Sequence, residues 1–267
     1  MPRLHVAPPP SRPLHALTRA ISPALEACAL THLPRTHIDL VRARAQHAAY
    51  EHLLEELGCT VERLPAGLDM PDSVFIEDTA VVFDEIAIIT RPGAESRRGE
   101  TAAVAAALPA YRSGIASIEP PGTLDGGDVL CLGRRLFVGT SGRTNAEGLA
   151  QLRALVSAHG YTVEAVSLND CLHLKTAVTA VADDTVLLNP TWVDAAVFAD
   201  VHVIEIDPAE PFAANALLVG DTVVYPDHLP RTFERLQEHG LDVRLVPADE
   251  LAKAEGGLTC SSLLFFP

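Results

Sequence analysis

The stretch Leu124-Asp125-Gly126-Gly127-Asp128-Val129-Leu130 leads from a polar, glycine-containing turn into an apolar strand. A tight turn at Gly133-Arg134 and a second apolar strand, Leu136 to Gly139, follow it. A helix is predicted from about Asn145 to His159, because apolar residues recur there at helical spacing. The stretch therefore opens a unit of strand, turn, strand, loop and helix.

The same unit recurs, weakly, at four other places in the chain. Its first strands are predicted near residues 80–83, 176–181, 215–219 and 262–266, and its helices near 96–108, 194–198 and 230–239. The last copy stops at the end of the chain. The N-terminal part can complete it, with residues 14–20 as a strand and 38–58 as an amphipathic helix. Joining the two termini in one unit would close a ring and protect the edge strands.

The spacing of the copies is the stronger indication. A polar residue stands just before each first strand, and the five residues are Asp78, Asp125, His173, Asn215 and Cys260. They are separated by 47, 48, 42 and 45 residues. A steady period of this length predicts blades around a pseudo-symmetric axis. The starts of the first strands converge in such a ring, so these side chains are expected to meet at its hub.

These residue types together supply the parts of a nucleophilic active site. Cys260 follows Gly256-Gly257 and precedes a buried strand, where backbone can approach a ligand closely. Taken singly, Cys260 would be a small buried side chain, His173 a structural residue and Asp78 a turn cap. Their equivalent placement in successive repeats favours function instead: a thiol, an imidazole and carboxylates can attack a cationic carbon.

The chain is acidic, with a net charge of −15 at pH 7. This charge argues against a nucleic-acid partner, because phosphates attract basic patches. It suits a small cationic substrate, although solubility alone explains it as well. The sequence contains no run of about 18 apolar residues, so no membrane span is predicted. The N-terminus also lacks the apolar stretch of a signal peptide. We expect one catalytic domain over residues 1–267, with a proline-rich extended tail at 1–12.

The cysteines indicate neither a disulfide framework nor a zinc knuckle. There are five of them, widely spaced, and none forms a Cys-x-x-Cys pair. A reducing cytoplasm is the simplest location for such a chain. No local spacing of Cys and His predicts a metal site, although single ligands from several blades could still meet. We expect no metal and no cofactor.

Six ordered motifs give the chain a family resemblance that covers residues 14 to 266. They are Leu68-Asp69-Met70-Pro71-Asp72-Ser73-Val74-Phe75-Ile76-Glu77-Asp78-Thr79, Ile89-Thr90-Arg91-Pro92-Gly93-Ala94 with Ser96-Arg97-Arg98, Thr123-Leu124-Asp125-Gly126-Gly127-Asp128-Val129-Leu130, Ser141-Gly142-Arg143-Thr144-Asn145, His173-Leu174-Lys175-Thr176 and Leu258-Thr259-Cys260-Ser261. In these motifs the chain resembles the dimethylarginine dimethylaminohydrolases, of the guanidine-modifying (pentein) superfamily. The resemblance implies an α/β fold, the five-bladed ββαβ propeller with pseudo-fivefold symmetry.

The resemblance also implies an activity, the hydrolysis of ω-N-methylated arginines to citrulline and dimethylamine or methylamine. Arginine deiminases, in the same superfamily, typically carry an Asp two residues after the catalytic His and a helical insertion. This chain has Lys175 at that position and no room for the insertion. Both departures favour the dimethylarginine hydrolases.

The resemblance assigns the catalytic roles. Cys260 is the nucleophile that forms a covalent thiouronium, and His173 is the proton donor and later the base. Asp78 and Asp125 hold the guanidinium, and we count Asp125 with the catalytic residues. Neighbouring residues on a strand point to opposite faces, so Asp78 is expected to reach the guanidinium and Glu77 to support it.

Further residues are expected to bind the amino-acid end of the substrate. By the resemblance, Arg97 and Arg143 take its carboxylate and Asp72 its ammonium. Leu30 belongs to a lid over the bound ligand, and Phe75 lines the substrate site.

Two other functions stay open at this point. The scaffold could act on arginine or another guanidine, or it could bind a guanidine without catalysis. The second alternative predicts a lost nucleophile or base, yet Cys260 and His173 are both present. A small cationic amino acid is thus the expected partner, with no nucleic acid and no membrane. The sequence is compatible with a homodimer and does not determine the oligomeric state.

Overall fold

Five small sheets of three strands each make up the scaffold. The structure, a computed structural model, describes residues 13–267, so the predicted tail at 1–12 lies outside the described residues. The strands are β1 (His15–Arg19), β2 (Thr60–Leu64), β3 (Ala80–Val82), β4 (Ala87–Ile89), β5 (Ile115–Ser117), β6 (Val129–Leu132), β7 (Arg135–Thr140), β8 (Thr162–Ser167), β9 (Val178–Ala182), β10 (Thr185–Leu188), β11 (His202–Glu205), β12 (Leu217–Val219), β13 (Thr222–Pro226), β14 (Asp242–Val246) and β15 (Ser262–Phe265). The α-helices are α1 (Leu40–Glu56), α2 (Thr101–Ala107), α3 (Ala146–Ser157), α4 (Leu174–Ala177), α5 (Pro230–Glu238) and α6 (Asp249–Ala252).

The sheet β6-β7-β8 shows how each blade is built. Strands β6 and β7 pair antiparallel across a two-residue turn, in which Gly133 has a φ of 58°, a value that favours glycine. Helix α3 then carries the chain back, so that β8 pairs parallel with β7. The other sheets repeat this order of antiparallel and parallel pairs. The predicted five-bladed ββαβ propeller, an α/β fold, is confirmed.

The ring is closed by a blade that combines the first and the last strands of the described residues, as predicted. Strand β15 pairs antiparallel with β1, with Ser262 opposite Thr18, and β1 pairs parallel with β2. Helix α1 crosses between β1 and β2. Its start is fixed by Asp39, whose side chain accepts hydrogen bonds from the backbone N–H groups of Val41 and Arg42, a cap that is typically worth about 1 kcal/mol.

The apolar core lies between neighbouring blades. Each of five clusters combines side chains from two adjacent blades. Between the second and third blades, for example, the rings of Phe137 and Phe198 lie 4.8 Å apart. The blades therefore stabilise one another, and the positions of their inner ends are fixed relative to the axis.

Some local elements differ from the prediction. The repeat found in the residues did not include the third strand of each blade, and the helix predicted at 96–108 is divided into a 3-10 turn, Glu95–Glu100, and α2. The helix predicted at 194–198 is a 3-10 turn, Ala195–Phe198. Among the described residues, no helix is both long and apolar enough to cross a membrane.

Candidate active site

Short helical turns deliver the predicted residues to the hub. They precede four of the first strands and are Ile76–Thr79, Gly126–Asp128, Leu174–Ala177 and Thr259–Ser261. Neighbouring turns contact one another around the axis. The approach is so close at Gly127 that a Cβ atom there would lie 2.8 Å from Oδ1 of Asp78 and 2.9 Å from Nδ1 of His173. Only glycine fits this position, and the hub is therefore fixed by packing as well as by polar contacts.

His173 lies among carboxylates. Its Nε2 atom is 2.9 Å from Oδ2 of Asp125 and 3.9 Å from Oδ1 of Asp78, and all three residues are buried. Burial lowers the pKa of the imidazole, but the negative charges of Asp78, Asp125 and Asp128 outweigh burial and raise this pKa to about 9. His173 therefore carries a proton at neutral pH.

Asp78 is held in its charged form. Burial opposes the charge, but His173 and Arg97 outweigh it and lower the pKa of Asp78 to about 2. Oδ2 accepts a hydrogen bond of 2.5 Å from Nη1 of Arg97, and Oδ1 accepts one of 2.9 Å from the N–H of Gly127. The carboxylate is thus fixed in orientation before any substrate arrives.

Arg97 is a buried part of this arrangement. Its guanidinium donates to Asp78, to Glu100 and to the carbonyl oxygens of Asp72 and Phe75, and the nearby carboxylates raise its pKa further against the cost of burial. The sequence interpretation missed Glu100. The ion-pair spacing of three residues from Arg97 was the available signal.

Glu77 and Asp78 do not lie on a strand, so the expectation that they face opposite sides is wrong. They belong to the 3-10 turn Ile76–Thr79, in which the hydroxyl of Thr79 donates to the carbonyl of Ile76 at 2.6 Å. Such a local bond competes with extended backbone. Both carboxylates therefore reach the hub, where Glu77 accepts from Nζ of Lys175 at 2.6 Å and from the hydroxyl of Thr259 at 2.8 Å.

The Cys260 thiol lies in the same cavity walls as the imidazole of His173. Cys260 and His173 line the same two cavities, and the sulfur accepts a hydrogen bond from the N–H of Gly257 at 3.3 Å. Burial, together with the charges of Glu77 and Asp78, raises the pKa of the thiol to about 12. Without a bound cation, Cys260 is therefore a neutral thiol at neutral pH.

Asp128 has a structural role that the sequence interpretation did not give it. Its carboxylate accepts hydrogen bonds from the hydroxyls of Ser141 and Thr144, each at 2.6 Å, and from the N–H of Leu174 at 2.9 Å. Burial raises its pKa to about 6, against the opposing charge of His173. These bonds tie two blades together directly behind the imidazole. The position of Asp128 in the same motif, three residues after Asp125, was the sequence feature that could have indicated this role.

The smaller of the two cavities is surrounded by the residues expected to bind an amino acid. Asp72, Phe75, Arg97 and Arg143 line it together with Cys260. Its volume is about 20 Å³, room for roughly one water molecule. An amino acid can enter only if the surrounding segment moves.

The segment predicted as a lid lies next to this cavity, and Ala29 belongs to the cavity lining. Leu30 is partly buried against the cluster that contains Phe75 and Cys260. The backbone of the lid is tied down at two points: Asp72 accepts from the N–H of Ala29 at 3.2 Å, and Glu255 accepts from three successive N–H groups, those of residues 31–33. Neither Glu255 nor this contact was anticipated from the sequence.

The larger cavity, of about 280 Å³, shares Leu172, His173, Glu255 and Cys260 with the small one and is otherwise lined by different residues. Glu77, Lys175 and Asn215 are among these other residues. Asn215 is engaged in fixed contacts, since its amide donates to Lys175 and Thr259 and accepts from the N–H of Thr259.

Asp78, Asp125 and His173 are also the group of ligand types that could hold a metal ion, with one atom from each within 4.8 Å of the others. Two features oppose a metal ion there. His173 is protonated at neutral pH and then has no free lone pair, and Arg97 already places a positive charge on Asp78. The arrangement favours a planar organic cation that is bound through hydrogen bonds.

Comparisons with known proteins agree with this geometry. A family model described as arginine deiminase matches residues 67–213. The chain is 41% identical to the N(G),N(G)-dimethylarginine dimethylaminohydrolase of Streptomyces coelicolor over 93% of this chain and 95% of that protein. It is 39% identical to the Pseudomonas aeruginosa protein of the same name over 85% and 90% of the two chains. A structure of a cysteine-to-serine mutant of the Pseudomonas enzyme complexed with citrulline superimposes with a TM-score of 0.90 at 36% identity, covering 94% of this chain and 98% of that one.

Proposed function

The chain belongs to the dimethylarginine dimethylaminohydrolase family, and on that premise we propose that it hydrolyses ω-N-methylated arginines, including monomethylarginine and asymmetric dimethylarginine, with Cys260 as the nucleophile. The observation that carries the proposal is the common position of Cys260 and His173 on the walls of both cavities, beside Asp78 and Asp125. The products are citrulline and dimethylamine or methylamine.

The first half of the reaction begins with the binding of the substrate cation. In the empty site Cys260 is neutral, because burial and the charges of Glu77 and Asp78 raise the pKa of its thiol. A guanidinium beside the sulfur stabilises the thiolate, and the thiol proton leaves to solvent. The sulfur then forms a C–S bond to the central carbon. His173 gives its proton to the methylated nitrogen, the C–N bond breaks, and the amine departs.

The second half regenerates the enzyme. A thiouronium cation is attached to Cys260, and His173 is now neutral. Water attacks the same carbon while His173 takes a proton from it. The C–S bond then breaks, and citrulline and the sulfur of Cys260 are released. The net reaction consumes one water, and the released amine takes up a proton.

The polar groups around the cavities orient the substrate. Asp78 and Asp125 accept hydrogen bonds from the guanidinium. Arg143, half-buried at the small cavity, attracts the carboxylate, with Arg97 behind it, and Asp72 takes the ammonium. Leu30 and Phe75 cover the apolar stem.

The pairing of Glu77 favours a methylated substrate over free arginine. An unmethylated guanidinium has more N–H groups, each of which needs an acceptor when it is buried. Each oxygen of Glu77 already accepts a hydrogen bond, from Lys175 or Thr259. The oxygens of Asp78 and Asp125 also have one partner each and can accept a guanidinium only through their remaining lone pairs, so the site offers few free acceptors. Nitrogens that carry methyl groups have fewer hydrogens to satisfy. Free arginine remains the second candidate, because the matching family model is described as arginine deiminase.

The apolar clusters, the cysteines and the net charge indicate the domain organisation, the cellular location and the partner. We infer a single catalytic domain, since each apolar cluster joins adjacent blades. We infer a cytoplasmic location, since the five cysteines are all free thiols. The net charge of −15 supports a cationic partner rather than nucleic acid.

The test is a citrulline assay with free arginine, monomethylarginine and asymmetric dimethylarginine side by side. We expect citrulline from the two methylated compounds, none with Cys260→Ser, and a covalent adduct on Cys260 after acid quenching during turnover. Turnover of free arginine alone would contradict the substrate assignment. Inactivity on all three would point to a binding protein.

A further inference from the structure

We propose that the larger cavity is a second substrate pocket, which admits arginines whose ω-nitrogen carries an apolar group larger than methyl, such as butyl or benzyl. This inference rests on the proposed function and extends its substrate class. We call the apolar part of the lining of the larger cavity the annex; it consists of Phe212, Pro226, Leu229, Pro247, Leu251 and Ala252.

The positions of the two cavities determine which end of the substrate faces the annex. The central carbon of the guanidinium must lie at the sulfur of Cys260, which lines both cavities with His173. The small cavity holds the charged groups that suit an amino acid, Asp72, Arg97 and Arg143. The stem of the substrate therefore leaves the carbon in that direction. In a planar guanidinium the terminal nitrogens point away from the stem. The larger cavity is the other space lined by Cys260 and His173, so it is the space assigned to the substituents of these nitrogens.

The size and the lining of the annex exceed what methyl groups require. The larger cavity measures about 280 Å³, against about 20 Å³ for the small one. The annex walls are apolar by residue type, and one of them, Phe212, is 43% exposed. An apolar group that leaves water for such walls gains affinity, by about fourfold for each methylene that is fully buried.

A polar atom that lacks a partner gives a second indication that the larger cavity accepts a ligand. His47 of α1 also lines it and is 4% exposed. Its Nε2 is buried without a hydrogen-bond partner among the described residues. Buried polar atoms are nearly always satisfied in finished cores. The cavity thus differs from a sealed packing defect, which would be apolar throughout.

The reaction on such a substrate is the same hydrolysis. The bond between the guanidinium carbon and the substituted nitrogen breaks, His173 supplies the proton to that nitrogen, and water supplies the oxygen of citrulline. The products are citrulline and the corresponding alkylamine or benzylamine. No oxidant, reductant or further reactant is involved.

The experiment compares ω-N-methyl-, propyl-, butyl- and benzyl-L-arginine in the citrulline assay with the wild-type protein. We expect kcat/KM for the butyl and benzyl compounds to equal or exceed that for the methyl compound. Turnover of monomethylarginine with loss of more than tenfold for every larger substituent would overturn this inference alone. Failure on monomethylarginine itself would overturn the proposed function and this extension with it.

Variants locate the effect. Ala252 lies on α6 and is half-buried in the annex wall, so Ala252→Phe should lower the butyl-to-methyl ratio of kcat/KM at least tenfold. Ala154→Phe, the same change at an exposed site on α3, should leave the ratio as it is. If Ala252→Phe does not fold, Ala252→Leu serves, with a smaller fall expected. An unchanged ratio in a folded Ala252 variant would refute the annex as the pocket.

Discussion

The Nε2 atom of His173 lies 2.9 Å from Oδ2 of Asp125, and neither side chain is more than 5% exposed. This oxygen accepts a hydrogen bond from the protonated Nε2 atom. The contact therefore fixes the orientation of the ring and stabilises its positive charge. The other oxygen of Asp125 accepts from the N–H of Gly93 at 2.9 Å. The carboxylate is therefore held in place from both sides, and His173 keeps a defined distance from the axis.

The replacement Asp125→Asn should move the pH profile as well as the rate. The charge of Asp125 is one of those that raise the pKa of His173 to about 9. Without it the pKa falls, roughly by one to two units. Since His173 must be protonated to release the amine, the alkaline limb of kcat should move to lower pH by that amount. At pH 9 this shift alone should lower kcat by roughly fivefold to fiftyfold, since that is the fall in the protonated fraction of His173. Measurement of kcat from pH 6 to 10 tests this.

Asp125→Glu is the matched control for that experiment, because it keeps a carboxylate near the ring. Its alkaline limb should stay close to that of the wild type. An asparagine variant with reduced kcat but an unmoved limb would mean that Asp125 does not set the charge of His173.

The replacement Glu77→Gln should make Cys260 more reactive in the absence of substrate. The charge of Glu77 is among the causes that raise the pKa of the thiol to about 12. Its removal also leaves the ammonium of Lys175 unpaired, and a nearby cation favours thiolate. We therefore expect the rate of alkylation by iodoacetamide at pH 8 to rise about tenfold or more, with the mid-point of its pH dependence moved down by at least one unit.

Glu250→Gln provides the comparison. Glu250 is also a buried glutamate that pairs with a lysine, Lys253, at 2.7 Å, but it is not among the causes of the shift at Cys260. Its alkylation rate should match the wild type. Equal acceleration in both variants would indicate general loosening instead of a local charge effect.

The replacement Arg143→Gln should weaken substrates that carry a carboxylate and spare those that lack it. Arg143 lines the small cavity and keeps 15% of its side chain exposed, so it can still meet a ligand. A lost charge-assisted hydrogen bond costs about 1.5 to 3 kcal/mol, a tenfold to hundredfold rise in KM for monomethylarginine. The decarboxylated analogue should bind the variant and the wild type alike.

Arg98→Gln tests the specificity of that result. Arg98 pairs with Glu95 on the surface and lines neither cavity. The KM values of the Arg98→Gln variant for monomethylarginine and for the decarboxylated analogue should equal those of the wild type. If Arg143→Gln raised KM for monomethylarginine and for the decarboxylated analogue alike, Arg143 would not be recognising the carboxylate.

Local patterns were enough to predict the hairpins, the closure of the ring and the meeting of His173, Asp125 and Cys260 at one hub. The third strands were missed because they bury few side chains: β5, for example, is only three residues long, and two of the three are exposed. The role of Asp128 depends on partners that folding brings together, one of them, Leu174, from the next blade. The pair of Glu100 with Arg97 is local, and its spacing of three residues was visible in the sequence. The strand interpretation of Glu77 failed because a side-chain hydroxyl two residues later stabilises a helical turn.

Glu255 connects the lid to the loop that leads to the nucleophile, and its removal should loosen the lid. Its carboxylate accepts from the N–H groups of Thr31, His32 and Leu33 at 3.0, 2.6 and 2.6 Å. Glu255 itself has a φ of 60°, which is unusual for a residue other than glycine, so the backbone there is held in an uncommon conformation that aims the side chain at the lid. Without this carboxylate, the three N–H groups can donate hydrogen bonds only to water.

Two measurements test Glu255→Ala. Since each N–H bond to a charged acceptor contributes about 1.5 kcal/mol or more, trypsin should cleave after Arg35 at least ten times faster than in the wild type. KM for monomethylarginine should rise while kcat changes little, because the catalytic groups are untouched. Glu238→Ala, at an exposed site on α5, should behave as the wild type in both assays. Unchanged cleavage in Glu255→Ala would show that Leu30 and its apolar neighbours hold the lid without this carboxylate.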